Sequence, residues 1–347
     1  MRVLPIHVEP IVGETCDGYV ARLAHAHAAD MADIRRLAIR EVGRHSWNGA
    51  DPRLRDAVEQ MAGIATGALM PTFEEHGMWV RCGHRDWKPR KCERCCTFAK
   101  PRAACSICAG GAWTQTIARG GPYCLEHHQW TLGDMSLRIS DDAYESAERT
   151  MRTTLWERGI GLHTGELQLA ATFVLAATNG SRGAAPIHAR AAQHRATLSP
   201  DFGDVLTWGY PEVIRTALLL STRSLVARVL DISRPATAQA DLLARAIAEA
   251  LGLAMSAELL DSSTRVVGHA HRAILHARGL RRARRTKVRP CPRERALIVA
   301  SFDKRACLLR HAPPGVIRTL SEKRTGGTEP PRVTRKRELV PDELALE

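Results

Sequence analysis

The chain has 347 residues, 44% of them apolar, which is room for two or three domains with cores of their own. Aromatic residues make up only 5%, which favours helices built on small side chains over β-sandwiches. The net charge of +13 is unevenly spread: residues 278–337 hold 19 Lys/Arg against 4 Asp/Glu, whereas residues 1–277 hold 31 against 29.

At the N-terminus, LPIHVEP is extended, because Pro5 and Pro10 block a helix. A helical stripe follows at Tyr19, Val20, Leu23, Ala24 and Ala26, and a second at Met31, Ile34, Leu37, Ala38 and Val42, ending at Gly43. Asp30 or Asp33 starts the second helix after a short turn near His27–Asp30. Two short helices across a tight turn are compatible with a helix-turn-helix and equally with other helical hairpins. A third amphipathic piece runs from Pro52 to Met70.

Residues 80–133 are rich in Cys, Gly, Pro and Arg and show no sustained period, the composition of a small metal-stapled module. Seven of the ten cysteines lie between 82 and 124. No apolar run reaches the roughly 18 residues of a membrane span. Nor does the N-terminus read as a secretory signal. The chain is therefore expected to be cytoplasmic, where thiols bind metal rather than form lasting disulfides. Cys105-x2-Cys108 and Cys124-x2-His127 are two knuckles whose spacing aims both side chains of each pair at one ion. Gly110, Gly111, Gly120 and Gly121 flank the segment between them. Cys82 and His84 with Cys92-x2-Cys95 make a candidate second set, and Cys96 and His128 are adjacent spares. The spacing also admits an interleaved wiring, Cys92/Cys95 with Cys124/His127. Zn(2+) is the expected ion, structural rather than catalytic, since four protein ligands leave no open position. Cys16, Cys291 and Cys307 read as ordinary thiols.

Helices return near 141. Asp142 is the expected cap of the first, with Glu145 three residues on, and Gly159 its stop. GELQLAATFVLAA is a buried-looking helix, and ATNGSRGAAP (177–186) a loop. Further helices are expected from Pro211 to Leu230 and, capped by Thr237, up to Gly252. Ala248 and Gly252 have helix-turn-helix spacing, yet Glu258 and Asp261 fall where that motif takes apolar residues. From 281 the periodicity dissolves. Arg281, Arg282, Arg284, Arg285, Lys287 and Arg289 crowd six cations into nine residues, a run suited to phosphates or to a solvated tail. There is no phosphate-binding loop, nucleophile elbow or H-E-x-x-H, so no catalytic residue is assigned and no enzyme is expected.

The expected fold is mainly α with a small zinc-ribbon module, in several domains. These are a helical, helix-turn-helix-like domain at 1–79, a zinc-binding module at 80–135, a helical domain at 136–280 and a basic, largely irregular tail at 281–347.

Leu4-Pro5, Pro10, Gly13-Glu14, Tyr19 and Arg22-Leu23-Ala24, followed by Cys105-x2-Cys108 and Cys124-x2-His127, resemble the opening and zinc module of TniQ proteins over about residues 1–135. The resemblance implies a non-enzymatic role in transposition. Such a protein recognises target DNA and links it to the ATPase regulator and transposase. A zinc-containing transcriptional regulator is the alternative built from the same parts, and a zinc hydrolase or nuclease a third.

Overall fold

A computed structural model describes residues 3–69, 80–82, 85–88, 102–117, 120–132, 137–162, 164–179, 181–193, 201–284 and 307–312. These residues are mostly helical, with short antiparallel strands. They form two compact units, divided between Glu148 and Arg149. No helix among them is long and apolar enough to cross a membrane.

The first unit opens with three helices, α1 (Cys16–Ala26), α2 (Met31–Glu41) and α3 (Pro52–Ala62). Each is started by a side-chain oxygen that accepts a first-turn N–H: Thr15 from Gly18, Asp30 from Ala32, and Asp51 from Arg53. The turn between α1 and α2 is tight, with Ala28 at φ +49. Tyr19, Val20, Leu23, Ile34, Ala38, Leu54, Val58 and Met61 pack into one core. The third piece does not run to Met70. Gly63 adopts a left-handed conformation and ends α3. Beyond it, the buried Glu59 accepts the backbone N–H groups of Gly67 (2.8 Å) and Leu69 (2.9 Å), which holds the loop in place of a further turn.

The extended N-terminal segment is strapped to α1. Tyr19 Oη donates to the Val8 carbonyl and Arg22 Nη2 to the Glu9 carbonyl, each at 2.7 Å. The strands are short and pair antiparallel: β1 (Val80–Cys82) with β2 (Arg85–Lys88), β3 (Arg102–Ala103) with β4 (Gln115–Thr116), and β5 (Tyr123–Cys124) with β6 (Gln129–Trp130), which also pairs with β7 (Leu137–Arg138). α4 (Asp142–Thr150) begins beside them: Tyr144 packs its ring against Tyr123 and edge-on against Trp130, with centroids 6.0 Å apart in both pairs. Its cap is Asp141, one residue before the expected Asp142, and its Oδ1 accepts the Ala143 N–H at 2.8 Å.

From Met151 to Leu155 the helix widens into a π-helical turn, which Gly159 follows at φ +75. α5 (Gly165–Thr178), α6 (Ala185–Gln193), α7 (Phe202–Leu220), α8 (Arg223–Val229), α9 (Ala236–Leu251) and α10 (Ala257–Arg284) complete the second unit, with a short 3-10 turn at Cys307–His311. α5 packs on α7, and α9 on α10. Its core includes Leu167, Phe173, Val174, Trp208, Tyr210, Val213, Leu243 and Ile247. Three boundaries depart from the periodic reading. α6 falls partly where a loop was expected. α7 begins nine residues before Pro211 and passes it at a kink, where Gly209 has the non-helical φ −116. The missing proline N–H is tolerated there because the kink has already broken the ladder. α9 starts at Ala236, a residue ahead of the expected cap Thr237. The first turns of α10 carry Glu258 and Asp261, with Leu259 and Ser263 buried in their stead.

Candidate metal centre

The β3–β4 hairpin carries the first knuckle in its loop. The Cys105 carbonyl accepts the Ala109 N–H at 3.0 Å and the Ser106 carbonyl accepts the Gly111 N–H at 2.9 Å, so the chain curls around Cys105 and Cys108. Gly110 and Gly111 leave that curl at φ +64 and +83, values that side chains beyond glycine rarely adopt. The second knuckle belongs to the next hairpin, with Cys124 in β5 and His127 in the turn before β6.

The three sulfurs and a ring nitrogen of His127 lie within 4.8 Å of one another. His127 Nδ1 is 3.1 Å from Cys108 Sγ and 3.7 Å from the sulfurs of Cys105 and Cys124, and the Cys108 and Cys124 sulfurs are 3.7 Å apart. A tetrahedron with metal–sulfur bonds of about 2.3 Å and a metal–nitrogen bond of about 2.0 Å has edges of about 3.8 Å between sulfurs and about 3.5 Å from sulfur to nitrogen. The four separations lie near those edges, and this cluster could hold a metal ion. Burial, then the neighbouring thiols, push Cys108 up to about 12, and burial raises Cys105 as well. A bound cation reverses that preference, because thiolate is the ligand form.

Cys124 and His127 thus face Cys105 and Cys108. Cys92, Cys95, Cys96 and His84 lie outside the described residues, and Cys82 is described by its backbone alone, in β1. His128 does not substitute for His127: its Nδ1 is 2.8 Å from Tyr123 Oη, which itself donates to the Ile139 carbonyl. Glu126 is exposed. Cys16 and Cys307 are buried and are not members of the cluster, and burial drives the Cys16 thiol far above its ordinary value. Arg281, Arg282 and Arg284 lie on the last turn of α10 as backbone, while Arg285, Lys287 and Arg289 lie outside the described residues.

The knuckle spacing gives no sign of the residues that support it, though Glu14 and Arg22 belong to the N-terminal pattern. Gln129 Oε1 stands 2.8 Å from Cys105 Sγ and 3.1 Å from Ser106 Oγ. Glu14, fully buried, accepts from the Ile11 N–H at 2.9 Å, from Arg22 Nη1 at 3.2 Å and from Thr114 Oγ1. Burial raises its carboxyl above the ordinary value, against the pull of those three partners. The Thr15 N–H donates to the Gln115 carbonyl at 2.8 Å, and Glu14 bridges Thr116. The start of α1 is thereby bound to β4, the strand that leaves the first knuckle. On the other side, Glu148 takes the Gly121 N–H between its two oxygens (3.0 and 3.1 Å), and Arg102 donates to the Gly121 carbonyl. Comparison with family models, curated proteins and solved structures finds no match to the chain.

Proposed function

We propose that this chain is a non-enzymatic, zinc-containing DNA-targeting adaptor of a mobile element, which recognises target DNA and joins it to a transposase and its ATPase regulator. The observation that carries the reading is the closed Cys3His set fastened to the first helices. Three thiolates and an imidazole in a tetrahedral arrangement suit zinc. With four protein donors, no position is left for a substrate or an activated water. Two hairpins presenting paired ligands make the module a zinc ribbon.

Further support comes from where the TniQ-like residues fall. Glu14, Tyr19, Arg22, Leu23 and Ala24 are all buried. They join the extended N-terminus, α1 and β4, so the resemblance rests on the residues that build the first unit. α1 and α2 meet across a short turn in helix-turn-helix fashion, with Ala24, Ile34 and Ala38 inside. The outer face of α2 carries Arg36, Leu37 and Arg40, all exposed. In the basic segment, Lys/Arg contacts to phosphate supply affinity without reading bases.

The test has two arms. Recovery of a transposase and an ATPase regulator with this chain from its native host supports the adaptor. Tight binding to one duplex sequence, with neither protein recovered, identifies a transcriptional regulator instead. Replacing Arg281, Arg282, Arg284 and Arg285 by Ala should weaken binding to all duplexes alike. It should also flatten the slope of log affinity against log salt by up to about four units, near 0.9 per lost contact. An unchanged slope means the basic run does not touch phosphate.

A further inference from the structure

We infer that Gln129 is a positioning residue for the metal centre, its side-chain amide giving one N–H to the Cys105 sulfur and the other to Ser106 Oγ when an ion is held. This rests on the metal-binding reading above.

Gln129 is fixed before its side chain acts. It lies in β6, the middle strand of three, with Cys124 as its cross-strand partner on one side and Arg138 on the other. From that position its amide oxygen reaches two donors, the Cys105 S–H at 2.8 Å and the Ser106 O–H at 3.1 Å. The pattern suits a protonated cysteine. A metal-bound cysteine is a thiolate with no proton to give. An amide oxygen held 2.8 Å from that sulfur would set two electron-rich atoms against each other.

Half a turn about the last side-chain torsion exchanges the amide oxygen and nitrogen in place. Nε2 carries two protons, so it can donate to both neighbours at once. One N–H then meets the thiolate and the other a lone pair of Ser106 Oγ. The Ser106 hydroxyl proton turns to solvent, to which that residue is exposed. Every donor keeps an acceptor in both states, so the same three side chains serve the thiol and the thiolate.

The placement also answers a need. Cys105 is 5% exposed, whereas Cys108 and Cys124 are half-buried and within reach of water. A buried thiolate depends on donors supplied by the protein: the backbone N–H groups of Ile107 and Cys108 already face this sulfur, and a side-chain partner of a metal ligand is typically worth 10–100-fold in affinity.

The test uses the full chain and two probes. Gln129→Glu keeps the shape and can only accept near neutral pH, and Gln129→Leu removes the donor without adding charge. In competition with a chromophoric chelator, both should bind zinc about 10–100-fold more weakly than the unaltered chain. Independently of any variant, the chain loaded with cadmium-113 should show scalar coupling between the metal and a Gln129 side-chain amide proton, passed through the N–H···S bond. If the unaltered chain binds one ion while both variants bind as tightly and the coupling is absent, Gln129 does not hold the thiolate and the inference falls. If the unaltered chain binds no zinc or cadmium, the metal reading fails, and this inference with it.

Discussion

Between Arg102 and Thr131 the first unit buries Ile117, Tyr123 and Trp130 as its large apolar side chains, whereas α5 alone in the second unit buries Leu167, Leu169, Phe173 and Val174. The knuckle segment spends its residues on four candidate metal donors and on glycine-bearing turns. Its edges are tied by polar anchors: Glu14 to Thr114, Glu148 to the Gly121 N–H, and Arg102 to the Gly121 carbonyl. The helices of the second unit rely on apolar packing, and two of their buried carboxylates have side-chain partners, Glu212 with Arg190 at 2.8 Å and Glu166 with His311 at 3.0 Å. So few apolar residues cannot offset the entropy of ordering the knuckles, and under the proposed function the missing stability comes from the ion. The helices need no such help. Ligand loss should therefore be felt in one region, and core truncation in the other.

The largest effect is expected from Cys108→Ser. Structural zinc contributes roughly 10–16 kcal/mol of apparent folding free energy in small finger peptides, and a site with three good ligands forfeits much of it. Hydrogen exchange should show residues 102–131 losing protection while α5, α7 and α9 keep theirs, and metal analysis should find the stoichiometric zinc gone. Equal protection of both regions would remove Cys108 from the ligand set. The converse change is Phe173→Ala. Phe173 is fully buried, and truncating such a ring typically costs about 3–5 kcal/mol. Chemical denaturation followed by helical circular dichroism should register that loss, with zinc content unchanged. Zinc lost in step with the helices would show that the two regions do not stand apart as their chemistry implies.

Much of this division is legible in the sequence, because both halves write themselves locally. The knuckle spacing of Cys105/Cys108 and Cys124/His127 names the candidate donors, the apolar stripes of α1 and α2 recur at helical spacing, and α5 stands out as an apolar run. Gly63, which ends α3, and the Gly209 kink, which lets α7 pass Pro211, depend on backbone angles that apolar periodicity does not encode. The second-unit reading fails mainly there, as a helix drawn to start at Pro211 when it begins at Phe202. Long-range polar pairs are harder still. Glu14 and Thr114 are 100 residues apart, and nothing in either neighbourhood points to the other. Gln129 likewise follows a conspicuous His127-His128 pair and has no pattern of its own. Its role depends on the β5–β6 register, which brings it opposite Cys124.

Gly18 gives the smallest expected effect and the sharpest view of how the knuckle region is joined to α1. A Cβ added there would stand 2.4 Å from Thr114 Oγ1 and 2.5 Å from the Gln115 nitrogen. One of those atoms is backbone, so no rotamer change relieves the contact. The strand must retreat from α1, and the Thr15–Gln115 and Glu14–Thr114 hydrogen bonds lengthen with it. Gly18 is itself helical, so its replacement by Ala gains some of the roughly 1 kcal/mol by which alanine is the better helix former. Overpacking costs about 1–3 kcal/mol and outweighs that gain. Gly18→Ala should therefore destabilise the first unit by up to about 2 kcal/mol, the difference of the two terms, without removing the ion. The context decides the sign. In a Cys108→Ser chain β4 is no longer held in place, the clash disappears, and the same substitution should be neutral or slightly stabilising through helix propensity alone. A double-mutant cycle reads this as non-additivity between residues 18 and 108. Strict additivity would mean that β4 keeps its place against α1 without the ion, and that Glu14 and its neighbours, not the metal, hold the strand.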